Sequence, residues 1–181
     1  MGKIFSFFLE LLKTVFLALI VVVPIRVFIF EPFIVKGNSM EPNFRQGDYL
    51  IIDKLSFLFR QPKRGEVVVF NYPLNPRQRF IKRIIALPGE KIEMKDGKVK
   101  INEQYLKEEY LSNSIQTTDD LDIVVPQNQY FVLGDNRFSS LDSRQWGTLP
   151  KSNIIGRVLF ALRFNLSFPY ISFKKISLPA Y

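Results

Sequence analysis

The 181-residue chain has neither cysteine nor histidine. Without cysteine there are no disulfides, thiolate nucleophiles or thiolate-held metals, and the compartment stays open, since an exported domain of this length can fold without disulfides. Without histidine a Ser-His-Asp triad and an imidazole-held zinc are both excluded. A catalytic base must then be a carboxylate, a lysine, a tyrosine or a terminal amine. No metal-binding or cofactor-binding pattern is found, and no cofactor is expected.

Apolar residues are plentiful, at 47% of the chain, enough for a sizeable core and too many for disorder. The formal charge of +8 and a pI near 9.7 favour anionic partners, either nucleic acid or acidic lipid headgroups. There is no basic helix stripe and no aromatic RNA-binding signature, so nucleic acid is not an expected partner. Membrane lipid is.

The N-terminus supports that choice. From Phe5 to Val23 the chain is almost wholly apolar, broken by Glu10 and Lys13, which lie one helical turn apart and partly compensate each other. Nineteen residues at about 1.5 Å each reach roughly 28 Å, close to the ~30 Å hydrocarbon core of a bilayer. Arg26 can snorkel outward. No small-residue cleavage site follows the run; Glu31-Pro32-Phe33 does. Residues 1–30 are therefore expected to be an uncleaved anchor with one transmembrane helix. Lys3 and Lys13 precede the apolar centre and Arg26, Lys36 and Arg45 follow it, so charge alone leaves topology open.

After Pro32 the pattern changes to short apolar runs separated by turns. Tyr49–Asp53, Glu66–Asn71, Arg79–Ala86, Lys91–Lys95, Lys98–Asn102, Tyr130–Leu133 and Ile155–Leu162 read as strands. Asp96-Gly97 between two such runs signals a hairpin. The fold class is mainly β, a folded antiparallel sheet or barrel-like catalytic domain over residues 31–173. A small insertion occupies 91–127, and 174–181 form a tail. Leu106–Asp122 is polar and aperiodic and reads as a loop or a small excursion from the main sheet. Ile155–Phe173, rich in Phe and Leu, is either core strand or a patch touching the bilayer.

Three stretches could carry chemistry. In Gly37-Asn38-Ser39-Met40-Glu41-Pro42, glycine and proline flank a serine in a tight turn, which exposes its hydroxyl and aims backbone N–H groups at a developing oxyanion. Taken alone it is also an ordinary loop. In Phe80-Ile81-Lys82-Arg83-Ile84-Ile85, strand alternation puts Lys82 between Phe80 and Ile84 on one face. Such a lysine is desolvated and its pKa falls from ~10.4 towards the roughly 7–8 that a neutral amine base needs. An edge lysine reaching water is the plain alternative. The third stretch, Gly134-Asp135-Asn136-Arg137-Phe138-Ser139-Ser140-Leu141-Asp142-Ser143-Arg144, has the hydrogen-bonding capacity of a loop that must hold its shape.

The order of these features is more telling than any one of them. A membrane span, Ser-Met-x-Pro, a strand with Lys-Arg followed by Leu-Pro-Gly, then Gly-Asp-Asn and Asp-Ser-Arg resemble the type I signal peptidases, from about Val27 to Phe160. The resemblance implies a membrane-bound serine endopeptidase that removes signal peptides from exported preproteins, cutting after small residues at −1 and −3. It implies Ser39 as nucleophile and Lys82 as general base, working through an acyl-enzyme, and Ser140 orienting the lysine by a hydrogen bond. Asp142 and Arg144 would brace the loop through salt links, with Arg83 and Asp135 structural. Phe33, Val35, Met40, Phe44 and Ile81 would line shallow apolar pockets. The oxyanion would meet the Ser39 N–H; where many relatives add a hydroxyl two residues earlier, this chain has Gly37. Asn43 and Phe138 also depart from the usual threonine and acidic residue. The resemblance places the protein in the cytoplasmic (inner) membrane with the catalytic domain on its outer face, with preproteins as partners and association with the secretion translocon a further expectation.

Within the enzyme class, peptidases of conjugation systems and organellar inner membranes share these motifs and differ in substrate. Self-cleaving repressors would carry a DNA-binding module in place of the span. A catalytically dead module that only holds signal peptides would have no need of an intact Ser39, Lys82 and Ser140.

Overall fold

A computed structural model describes residues 2–24, 30–111, 117, 120–164 and 171–175. The apolar run folds as helix α1 (Gly2–Pro24), with every described side chain exposed. Its stretch Ile4–Val23 has a mean hydropathy of 2.3. A helix apolar on all sides and buried against nothing needs a non-aqueous surrounding.

The body is antiparallel β. Strands β1 (Phe30–Ile34), β2 (Tyr49–Asp53), β3 (Val67–Tyr72), β4 (Asn75–Ala86), β9 (Gln129–Leu133), β10 (Leu149–Pro150), β11 (Ile154–Phe164) and β12 (Ile171–Lys175) form one sheet. Its order is β1-β2-β11-β3-β4-β9-β10, with β12 on β11. β11 bonds β3 through Ile154–Arg157 and β12 through Phe160–Phe164, while β2 stays on its other side. That change of neighbour bends the sheet over, as the expected folded architecture requires.

Three apolar clusters hold it. Val67, Val68, Val69 and Phe70 are all fully buried, because β3 is covered on both faces and its sequence is a continuous apolar run rather than an alternation. Each such side chain contributes about 1.5–3 kcal/mol on burial. Val67 and Val69 pack with Ile81 in one cluster; Val68 and Phe70 pack with Ile84 and Phe80 in another.

A smaller sheet within residues 91–124 contains β5 (Lys91–Lys95), β6 (Lys98–Ile101), β7 (Gln104–Tyr105) and β8 (Leu121–Val124), in the order β7-β6-β5-β8. Asp96 and Gly97, with φ of 50° and 78°, make the β5–β6 turn, both in the left-handed region that this tight hairpin demands. Of the two readings of 106–122, loop or excursion, parts are more than loop: Leu106, Tyr110 and Thr117 are buried, and Leu121–Val124 is strand of the smaller sheet. β12 also runs to Lys175, so strand extends into the expected 174–181 tail. Ile154–Phe164 is strand of the main sheet, while residues 165–170 and 176–181 lie outside the described set. Short helices α2 (Ser56–Phe59) and α3 (Ser143–Trp146) complete the elements used below.

Candidate active site

The three chemically suggestive stretches converge. β1 leads into the Gly37–Pro42 turn, β4 carries Lys82, and the loop after β9 closes over both. Lys82 Nζ donates to Ser39 Oγ at 2.7 Å and to its neighbour's Ile81 O at 2.9 Å. Lys82 is 3% exposed. Its backbone is opposite Val68, and the flanking Phe80 and Ile84 pack with Val68 and Phe70, the environment that strand alternation predicts. The Phe80 ring centroid is 5.4 Å from Nζ.

Burial lowers the Lys82 pKa from the ordinary 10.5 to about 8, against the smaller upward pull of the Asp142 and Asp135 carboxylates. At pH 7 about a tenth of the amine is therefore uncharged, far more than for an ordinary lysine. Oγ and Nζ are already within proton-transfer distance.

The surrounding loop is held by buried ion pairs. Arg83 Nε and Nη2 reach Asp135 at 2.8 and 2.7 Å, with both side chains at most 2% exposed. Asn43 Nδ2 donates to Asp135 Oδ2 at 2.9 Å and to Tyr110 O at 2.7 Å, so the residue standing in the usual threonine's place ties the nucleophile's turn to the same pair. Asp142 caps α3, accepts from Gly134 N at 3.0 Å and pairs with Arg144 Nε at 2.8 Å. Arg144 also donates to Arg137 O at 2.8 Å. Asn136 N donates to Ser39 O at 3.0 Å, and Asn136 Nδ2 to Asn38 O at 3.3 Å.

Gly134 is where β9 meets the nucleophile's turn. A Cβ there would fall 2.4 Å from Ser39 O and 2.2 Å from Ser140 Oγ, so only hydrogen fits. Ser140 is thus beside the site, but the expected bond to Lys82 is not made: its Oγ is buried and has no hydrogen-bond partner in the structure. The amine's hydrogen bonds go instead to Ser39 Oγ and Ile81 O.

An open cleft of about 560 Å³ runs along Ser39 and Lys82, walled by Phe33 and Ile34 on one side and Arg79, Phe80 and Ile81 on the other. Of the residues expected to line pockets, Phe33 and Ile81 do so. Val35, Met40 and Phe44 are 2%, 1% and 1% exposed and pack in the core cluster beneath, not on the cleft surface. Sequence reasoning missed Leu141, which also borders the cleft, and Glu108 and Tyr110. Arg137, which precedes Phe138, pairs with Glu108 at 3.0 Å to Oε2. Arg137 also donates to Thr117 Oγ1 at 2.7 Å. That pairing spans 29 positions of sequence and leaves no local signal.

A hydroxyl hydrogen-bonded to a buried amine beside an open cleft is an arrangement of the kind serine peptidases use, hydrolases that attack a carbonyl carbon. Comparison with known proteins takes that class to a family. The sequence profile of "Signal peptidase, peptidase S26" matches residues 8–163, and on that evidence the chain belongs to the signal peptidase I family. Probable signal peptidase I-2 of Synechocystis sp. is 42% identical over 154 residues, covering 82% of this chain and 70% of the relative. Signal peptidase I P of Bacillus subtilis subsp. natto is 37% identical, covering 82% and 85%. A crystal structure of a signal peptidase I from Enterococcus faecalis V583 is 35% identical, with a TM-score of 0.49, over 54% of this chain and 97% of that one. The chain is accordingly a serine peptidase that cleaves signal peptides, and with its one apolar helix a single-pass membrane protein.

Proposed function

We propose that Ser39 and Lys82 act as a Ser/Lys dyad that cuts signal peptides from exported preproteins through an acyl-enzyme. The observation that carries this is the 2.7 Å contact between Ser39 Oγ and a lysine amine that burial holds near pKa 8. The neutral amine takes the hydroxyl proton as Oγ bonds to the scissile carbonyl carbon. The ammonium then gives that proton to the departing amine of the mature protein, leaving the signal peptide as an ester on Ser39. Lys82 next takes a proton from water, whose oxygen adds to the ester carbon; the bond from that carbon to Oγ breaks, Oγ recovers the proton from the ammonium, and the signal peptide leaves with a free carboxyl group. The Ser39 backbone N–H meets the oxyanion in both steps. Arg83, Asp135, Asp142, Arg144 and Ser140 keep the dyad's walls in place without touching the reacting atoms.

The substrate path follows from unpaired strand edges. Among the described residues β1 ends the sheet and β4 pairs only with β3 before Arg83, and residues of both strands line the cleft. An extended peptide can pair with these edges, giving affinity that ignores sequence. Phe33 and Ile81 then leave room for small side chains at −1 and −3 and exclude large ones. Val35, Met40 and Phe44 support that shape from beneath. The catalytic domain lies on the outer face of the cytoplasmic membrane, where signal peptides emerge beside the secretion translocon.

The test is processing of a model preprotein by the full chain in nonionic detergent, with the cut site read by mass. Cleavage after a small residue, abolished in Ser39→Ala and Lys82→Ala, is the expected result. Full activity in either variant refutes the dyad.

A further inference from the structure

The cleft beside the dyad is bordered by Lys36, Arg77, Arg79 and Lys82, and among the described residues no aspartate or glutamate lines it. One of these cations reaches across. Arg79 Nη1 donates to Glu31 Oε1 at 2.5 Å, joining β4 to β1, two strands that are not neighbours in the sheet. The ion pair therefore crosses the groove between the two strands that border it. Its level is fixed by register, which is unbroken through Glu31–Phe33 on β2 and through Arg79–Ile81 on β3. Side chains alternate along a strand, so Glu31 is on the face of Phe33 and Arg79 on the face of Ile81. Phe33 packs against the cluster that holds Ile81. Both strands run towards the dyad, β1 to Ser39 and β4 to Lys82. The ion pair thus lies one two-residue step, about 7 Å, farther from the dyad than the Phe33–Ile81 wall.

An extended peptide with its −1 and −3 side chains against Phe33 and Ile81 turns its −5 side chain to this pair, because every second residue faces the same way. That placement rests on the substrate path proposed for β1 and β4. The charge it meets is net positive. Glu31 is shared between Arg79 and Lys54, which lies between β2 and α2, at 3.3 Å from the carboxylate. Arg77 and Lys36 are exposed and have no acidic partner among the described residues. A carboxylate at −5 is attracted by Arg79 and Arg77, an ammonium is repelled, and a large apolar side chain takes water from the ion pair and returns nothing. We propose that Glu31 and Arg79 floor a −5 subsite and that, with Arg77, they select acidic over basic side chains there. The apolar floor of the groove ends at the same point, so the enzyme reads charge on a stretch of signal peptide that its −1 and −3 pockets do not touch.

The test is competition between two peptides with alanine at −1 and −3 that differ only at −5, glutamate against lysine, cut by the full chain in nonionic detergent. In about 20 mM salt kcat/KM should favour glutamate by about tenfold, through KM and not kcat, since exposed charge contacts are each worth little. In about 0.5 M salt, where charges are screened within about 4 Å, the ratio should fall to about two. Arg77→Gln with Arg79→Gln should bring it to about two at low salt, whereas Glu31→Gln, which removes the carboxylate offsetting Arg79, should raise it. A pair that only holds the strands together would slow both peptides alike and leave the ratio unchanged. Equal cutting by the parent at low salt, a preference that survives high salt, or one that the double variant keeps overturns the proposal. The salt series needs no variant, so it decides even where the double variant does not fold. Binding of both peptides to Ser39→Ala should show the same order of preference. Equal binding refutes the subsite and leaves the dyad standing, while cleavage by Ser39→Ala refutes the dyad and leaves the −5 preference to be read.

Discussion

Replacing Lys82 by methionine separates the cost of burying its charge from the rest of the fold. The lysine has a pKa of 10.5 when unfolded and about 8 when buried, so the unfolded chain holds the extra proton between those values. Stability must then rise with pH across that window, and below pH 8 the folded protein carries the full penalty of a desolvated ammonium. At about 1.4 kcal/mol per pH unit, the interval from 10.5 down to about 8 corresponds to about 3 kcal/mol. Lys82→Met keeps most of the stem's packing, removes the charge and loses two hydrogen bonds, to Ser39 Oγ and Ile81 O. Those bonds are worth about 1 kcal/mol each. The variant should therefore be more stable than the parent by about 1 kcal/mol near pH 7 and less stable by about 2 kcal/mol near pH 10.5. The single tryptophan, Trp146, packs 5.9 Å from Phe70 and Tyr72 and reports unfolding by its emission. Urea titrations in nonionic detergent from pH 6.5 to 10.5 supply the two curves. Subtracting them cancels groups that titrate alike in both proteins. Curves that stay parallel over the whole range refute the depressed lysine, and with it the physical basis for a neutral base.

Four further outcomes are expected. Peptide cleavage should increase with pH through an apparent pKa of about 8, because the free amine is the active form; a flat profile from 6.5 to 9 contradicts a lysine base. Gly134→Ala should cut kcat by about a hundredfold or more, since its Cβ would displace Ser39 O and Ser140 Oγ, and an unaffected rate would show that the turn yields freely. Asp135→Ala strands Arg83 without its buried partner and should cost about 3–5 kcal/mol by urea titration, against about 1–2 kcal/mol for Asn43→Ala. Glu108→Gln should destabilise the fold by about 1–3 kcal/mol, and Arg137→Met in that background should recover part of the loss; no recovery means that the pair is not coupled.

The site was readable in the sequence where chemistry depends on neighbours along the chain. Alternation around Lys82 pointed to its burial, with an exposed edge lysine as the alternative, and Asp96-Gly97 pointed to the β5–β6 turn; the Asp142–Arg144 link, implied by the resemblance, lies within one capped helix start. Contacts between distant segments were not. Nothing in the local pattern of Val35, Met40 and Phe44 says whether their face meets substrate or core, because that depends on how β11 and β3 fold over them. Glu108, Tyr110 and Thr117 sit in a stretch that reads as polar loop, yet Arg137 and Asn43 draw it against the catalytic walls. The expected Ser140–Lys82 bond came from resemblance alone, and only side-chain geometry shows the amine directed elsewhere.

The burial of Lys82 depends on β4 lying against β3 in one register. A slip of one residue would turn Arg83 to the lysine's face and Lys82 away from it. Before the strands pair, the amine is an ordinary solvated lysine with a pKa of 10.5, almost wholly protonated at neutral pH and unable to activate a hydroxyl. On the proposed mechanism a half-folded or misregistered chain is therefore inert. Closure of the sheet in the right register is then what switches the base on, and pairing of β3 with β4 is the step at which activity appears.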